Sequence, residues 1–141
     1  MAFLGEYQHS LDPKNRVFIP AKFREALGET FVICKSPDHC LFIYSDEEWE
    51  RLSEEIYALP PGKNSRQIQR EIFRNADTVT PDKQGRVTVN AALCSYAGLD
   101  KDVAIVGAGK RIELWDAATW KENVSELESI DTESSDMQVH F

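Results

Sequence analysis

A ten-residue stretch that recurs 70 positions later constrains this chain more than any other feature. Residues 12–21 read DPKNRVFIPA and residues 82–91 read DKQGRVTVNA, aligned without a gap. The correspondence continues in order, with Gly28 and Gly98 each closing a short helical stretch. Phe31–Ile33 then matches Val103–Ile105, residues 41–44 match residues 111–115, and Trp49 matches Trp120. A self-similar chain writes one supersecondary unit twice and packs the copies together, so the repeat dictates the architecture. At 141 residues there is room for one core of ordinary size, or two small cores sharing an interface.

Each copy predicts strand, turn, strand, short helix, strand, turn, strand, helix: an α+β chain. Arg16–Ile19 and Arg86–Val89 are β-branched runs suited to a half-buried pleated surface. Pro20 can open the first short helix, because its missing N–H costs nothing there. Ser45 followed by Glu48 forms a capping box, and the helix it starts places Trp49, Leu52, Ile56 and Leu59 on one side. Asp116 caps the equivalent helix, whose apolar side is Trp120, Val124 and Leu127. Pro60-Pro61-Gly62 breaks the chain between the copies. A further helix follows, with Ile68, Ile72, Phe73 and Ala76 on its apolar side and Arg66, Arg70 and Arg74 on the other. That basic stripe reads first as a solvated or ion-paired face, and second as a phosphate contact. The segments are thus 5–59, a connecting basic helix at 60–77, a second module at 78–127, and an acidic tail at 128–141 expected to be disordered.

The D-x-x-x-R turn is where chemistry enters. Pro13 suits the second position of a type I turn, and Asn15 tolerates the left-handed conformation that completes the hairpin. Gly85 stands where Asn15 does and takes that conformation freely. Asp12 and Asp82 are expected to structure these loops by pairing with Arg16 and Arg86. A guanidinium leaving such a turn offers a planar donor fork that matches phosphate or the O6/N7 edge of guanine. Lys14 and Lys83 add point charge for backbone phosphates, and Asn15 and Gln84 add polar contacts. Bracing the loop and presenting donors outward are compatible roles for one arginine.

The net charge of −8 argues against nucleic acid only until its distribution is read. Residues 12–24 carry Lys14, Arg16, Lys22 and Arg24 against Asp12, whereas residues 46–55 carry Asp46, Glu47, Glu48, Glu50, Glu54 and Glu55 against Arg51. Cys34, Cys40 and Cys94 have no C-x-x-C spacing, so buried reduced thiols are expected rather than disulfides. Cys34, His39 and Cys40 lack the second ligand pair that a zinc site needs, so no metal is expected. His9, His39 and His140 sit in no nucleophile motif, and there is no P-loop or dinucleotide fingerprint. We therefore expect no catalytic residue, no cofactor and no small-molecule substrate. Without a bilayer-length apolar run or a leader-like N-terminus, a cytoplasmic protein is expected.

Several of these stretches together resemble the MraZ family, within the SpoVT/AbrB-like swapped-hairpin superfamily. They are Gly5–Tyr7, residues 12–24, Cys40–Tyr44 with Glu48-Trp49, residues 82–87, Ala97–Leu99, Ile105–Gly107 and Ile112–Asp116. The resemblance implies tandem AbrB-like swapped-hairpin β-barrel halves forming an intramolecular pseudo-dimer with packed helices. It also implies a ring-shaped homo-oligomer on the nucleoid that represses the division and cell-wall gene cluster. The DNA partner would be G-rich direct repeats in the promoter, met by the loops of Arg16 and Arg86 with Lys14 and Lys83 beside them. The family usually carries proline where this chain has Asn90, which predicts a weaker start to the second short helix and unequal half-sites.

A protein-interaction module of the antitoxin kind is the alternative class, since fold alone does not decide function. Specific binding to upstream repeats, against co-purification of another protein, separates the two.

Overall fold

The computed structural model describes residues 2–130 and residue 139. In chain order the elements are β1 (Glu6–Ser10), β2 (Arg16–Phe18), α1 (Ala21–Leu27), β3 (Phe31–Lys35), β4 (Leu41–Ser45) and α2 (Asp46–Tyr57). Then follow α3 (Lys63–Arg74), β5 (Ala76–Val79), β6 (Arg86–Thr88), α4 (Ala91–Ala97), β7 (Asp102–Gly107), β8 (Ile112–Asp116) and α5 (Ala117–Leu127). Both copies give the predicted succession, and α3 is the element without a counterpart.

The strands of the two copies interleave. One sheet runs β1-β7-β8-β4-β3-β5, and β2 pairs with β6 in a separate ribbon. Every pairing is antiparallel. The sheet order reads the same when the copies are exchanged, because β1 lies on the second copy's β7 and β5 on the first copy's β3. The exchange axis passes between β4 and β8, where Leu41 faces Leu114 and Ile43 faces Ile112. It also passes through the ribbon, where Val17 faces Val87.

One hydrophobic core takes residues from both copies. Ile33, Leu41, Ile43, Val103, Ile105, Ile112 and Leu114 point to one sheet face and meet Phe23 and Leu27 of α1 and Leu93 and Ala97 of α4. Val17 and Val87 close this core from the ribbon side. Side chains alternate along a strand, so Phe42, Ala104 and Trp115 face the other way. There Trp120 and Val124 of α5 cover Cys40, Ala104 and Trp115. Trp49 of α2 lies against Tyr44 on that same face, with ring centroids 6.1 Å apart. The ribbon and short helices thus occupy one side of the sheet, and the long acidic helix α2 the other.

The caps follow from ordinary side-chain chemistry. The Ser45 hydroxyl accepts the backbone N–H of Glu48 at 3.2 Å, and Asp116 accepts that of Thr119 at 3.2 Å. Pro20 stands one residue before α1, at the cap position. Asn90 overturns the expectation of a weak second helix start. Its side chain accepts the Leu93 N–H at 2.9 Å, making α4 the better capped of the two short helices. Three apolar assignments also change. Ala76 belongs to β5 rather than to α3, Ile68 is exposed, and so is Leu127 at the end of α5. α3 buries none of its residues and leans on α2, with Phe73 against Trp49 and Tyr57. Lys35 ties it to β3 through Glu71 at 2.7 Å. Of the acidic tail, residues 128–130 are exposed; residues 131–138, 140 and 141, and with them His140, lie outside the described residues.

All three cysteines are free and buried. Desolvation pushes the Cys34 and Cys40 thiols up to about 12. Among the described residues, no helix is long and apolar enough to cross a membrane.

Candidate nucleic-acid interface

The two D-x-x-x-R loops share one design, atom for atom. Asp12 Oδ1 accepts the N–H groups of Lys14 at 2.9 Å and Arg16 at 2.8 Å, while its Oδ2 accepts Arg16 Nε at 2.6 Å. Asp82 Oδ1 accepts the N–H groups of Gln84 and Arg86, both at 2.9 Å, and its Oδ2 accepts Arg86 Nε at 3.0 Å. Backbone bonds close each loop: Asn15 N–H to Asp12 C=O and Gly85 N–H to Asp82 C=O, both 2.9 Å. Asp12 N–H also donates to Arg16 C=O at 2.9 Å and Asp82 N–H to Arg86 C=O at 2.8 Å, and making both bonds across the turn puts the fourth residue at positive φ. Asn15 adopts 59° and Gly85 adopts 81°.

The aspartates are held ionised by this geometry. Desolvation pushes Asp12 up, but the N–H groups of Arg16 and Lys14 and the Arg16 guanidinium together outweigh it and lower its pKa. At Asp82 the Arg86 N–H dominates, and with Gln84 N–H and the Arg86 side chain it likewise lowers the pKa.

Pairing of β2 with β6 sets the loops at opposite ends of one short ribbon. Its ladder runs into the loops, since Ile19 N–H donates to Gly85 C=O at 2.9 Å and Val89 N–H to Asn15 C=O at 2.8 Å. Strand alternation then decides the faces. Val17 and Val87 point inward and are fully buried, so Arg16, Phe18, Arg86 and Thr88 share the outward face. Arg16 and Arg86 are partly exposed, by 31% and 30% of their side chains. Lys14, Lys83 and Gln84 are exposed beside them, and Asn15 is half-buried.

The arginines are not equally committed. Arg16 spends Nε on Asp12, and its two Nη groups have no partner among the described residues. Arg86 donates Nε to Asp82 Oδ2 at 3.0 Å, and its Nη2 and Nη1 lie within ion-pair range of Asp82 Oδ2 at 3.0 Å and of Asp12 Oδ2 at 3.8 Å. A carboxylate of one copy thereby reaches the guanidinium of the other.

The structure also brings in a residue that the loop pattern leaves out. Arg24 of α1 donates Nε to Ile19 C=O at 2.8 Å and sits 5.3 Å from the Phe18 ring centroid. Its signal in sequence was membership of the Lys14, Arg16, Lys22, Arg24 cluster, but its reach across to the other copy's loop is tertiary. Arg66, Arg70 and Arg74 lie elsewhere, on α3 beside α2. Arg70 donates to Gln67 at 2.7 Å and Arg74 pairs with Glu71 at 2.7 Å.

The ribbon carries two outward-facing arginine loops about a pseudo-twofold axis, and guanidinium forks so placed have the geometry to meet the oxygens of a polyanion. Comparison with known proteins places this arrangement in context. The family model described as "MraZ protein, putative antitoxin-like" matches the chain twice, over residues 2–70 and 72–140. The chain is 51% identical to the transcriptional regulator MraZ of Heliobacterium modesticaldum over 119 residues, covering 84% of this chain and 83% of that protein. It is 49% identical to the transcriptional regulator MraZ of Acetivibrio thermocellus over 133 residues, 94% of this chain and 92% of the relative. Its identity to the namesake from Carboxydothermus hydrogenoformans is 44% over 140 residues, 99% and 98% of the two chains.

Proposed function

This chain belongs to the MraZ family, and on that premise we propose that it is a sequence-specific DNA-binding transcriptional regulator. Its relatives are named as regulators, a class without catalytic chemistry. We read it further as a repressor of the division and cell-wall gene cluster, working on the nucleoid in the cytoplasm. The observation that carries this reading is the pair of D-x-x-x-R loops at the two ends of the β2–β6 ribbon.

In this reading Asp12 and Asp82 shape the loops, Asn15 and Gly85 supply the left-handed residue, and Arg16 and Arg86 read guanines in G-rich direct repeats. Lys14, Lys83, Asn15 and Gln84 meet phosphates and base edges alongside them. One protomer offers few contacts, so its own affinity is low. A ring-shaped homo-oligomer would bring successive protomers to repeats spaced along the duplex, and linked binding multiplies their affinities. The interleaved strands support tandem AbrB-like swapped-hairpin halves, 5–59 and 78–127, joined by 60–77 and followed by the tail from 128.

A gel shift on the region upstream of the protein's own gene tests the assignment. Wild type retards the DNA, while Arg16→Ala keeps its oligomeric state and does not. An Arg16→Ala variant that shifts this DNA at wild-type concentration would sink the loop assignment. Co-purification of a protein partner with no DNA shift would favour the interaction-module reading.

A further inference from the structure

The copies depart from each other most informatively at position 24. The repeat places Cys94 where Arg24 stands. Both side chains meet the carbonyl five residues upstream: Arg24 Nε reaches Ile19 C=O at 2.8 Å, and Cys94 Sγ lies 3.5 Å from Val89 C=O. Only the arginine extends further. Its guanidinium lies over Gly85 of the other copy's loop, so that a Cβ on Gly85 would sit 2.6 Å from Cζ and 2.9 Å from Nη2. Gly85 is buried as a result, whereas its counterpart Asn15, in the same backbone conformation, carries a side chain. Glycine at 85 therefore answers two demands: positive φ, which asparagine also meets, and room for Arg24, which asparagine does not.

We propose that Arg24 is a third DNA-contacting guanidinium, a phosphate clamp carried by the first copy and seated on the second copy's loop. The inference rests on the DNA-binding reading above. Neither Nη of Arg24 has a partner among the described residues, so its donor fork arrives unspent. The Ile19 carbonyl and the Phe18 ring restrain its swing. A fixed fork on the flank of a loop suits a phosphate oxygen better than a base edge in the groove floor. The half-site met by the 82–86 loop is then held by two arginines of different roles, and that met by the 12–16 loop by one.

The test is the salt dependence of binding by the full chain. Fluorescence anisotropy with a duplex carrying G-rich repeats compares wild type, Arg24→Ala and Gly85→Asn, each with its thermal midpoint. Loss of one phosphate contact lowers the slope of log K against log salt by about 0.9 per engaged protomer. Both variants should show that drop and weaken binding by the same factor on matched and scrambled duplexes. Gly85→Asn keeps the backbone conformation and displaces the guanidinium, so it decides the matter if Arg24→Ala fails to fold. A slope equal to wild type in the folded variant, even with a lowered midpoint, overturns the inference and makes Arg24 a packing residue. Wild type that binds no DNA overturns the functional reading itself, a result distinct from the previous one.

Discussion

Arg16→Ala should cost more DNA affinity than Arg86→Ala, although the two loops share a backbone and the arginines are equally exposed. The difference lies in the carboxylates that flank each guanidinium. A bidentate contact to guanine O6 and N7 needs two N–H groups on one edge of the guanidinium. Arg16 can offer both Nη groups while Nε stays on Asp12. Arg86 also keeps Nε on Asp82, but its Nη2 lies 3.0 Å from Asp82 and its Nη1 3.8 Å from Asp12, so carboxylates flank both Nη groups that the same contact would use. A well-made bidentate pair discriminates by about 1–3 kcal/mol, which corresponds to roughly 5- to 150-fold in Kd. Arg16→Ala is expected in the upper part of that range and Arg86→Ala near the bottom, at about 5-fold. The assay is fluorescence anisotropy on a duplex carrying a single repeat, so that linked binding does not amplify either loss. Arg16→Gln, measured beside the alanine variant, separates loss of the fork from exposure of the Asp12 carboxylate to phosphate. Equal losses, or a larger one at Arg86, would refute the reasoning from the flanking carboxylates.

Three further outcomes are expected. Asn90→Ala removes the α4 cap and should destabilise the protein by about 1 kcal/mol, read by urea denaturation; an unchanged midpoint would show that the Asn90–Leu93 bond contributes nothing. The Asp12 and Asp82 carboxyls should titrate below the ordinary aspartate value of 3.8. Since folding lowers these pKa values, their contribution is complete above that value and is lost as pH falls through the depressed native ones. NMR should show the Arg16 and Arg86 Nε–H signals still protected as the pH falls past 3.8, with protection lost only at lower pH, and carboxyl titration at or above 3.8 would contradict the loop geometry. Cys34 and Cys40, buried and pushed to about 12, should resist a thiol reagent at pH 8 until the protein unfolds; rapid modification of the native protein would count against that burial.

Local chemistry made much of this fold legible. Turn residues at Asn15 and Gly85, the Ser45 and Asp116 caps, and the β-branched runs each act over a few residues, so the order of elements follows from them. Strand partners do not. A strand of one copy presents the same pattern to its own copy's sheet as to the other's, and nothing within Glu6–Ser10 specifies β7 over β3. Arg24 was hidden for the same reason, because its reach to Gly85 is created by the cross-copy ribbon. Asn90 was misjudged from an expectation of proline, when its own side chain is a strong cap. The basic stripe on α3 was visible but is remote from the ribbon, and no local pattern encodes that distance.

The interleaved sheet has a consequence for the peptide bonds that join the copies. β1 is held by the second copy and β5 by the first, so cutting the chain at Pro60–Gly62 would sever no strand pairing. The two fragments would remain hooked to each other as a heterodimer. The segment between them acts as a tether that raises the mutual concentration of two complementary pieces to the order of millimolar. Arg24 and Gly85, one on each piece, would then meet across a subunit boundary.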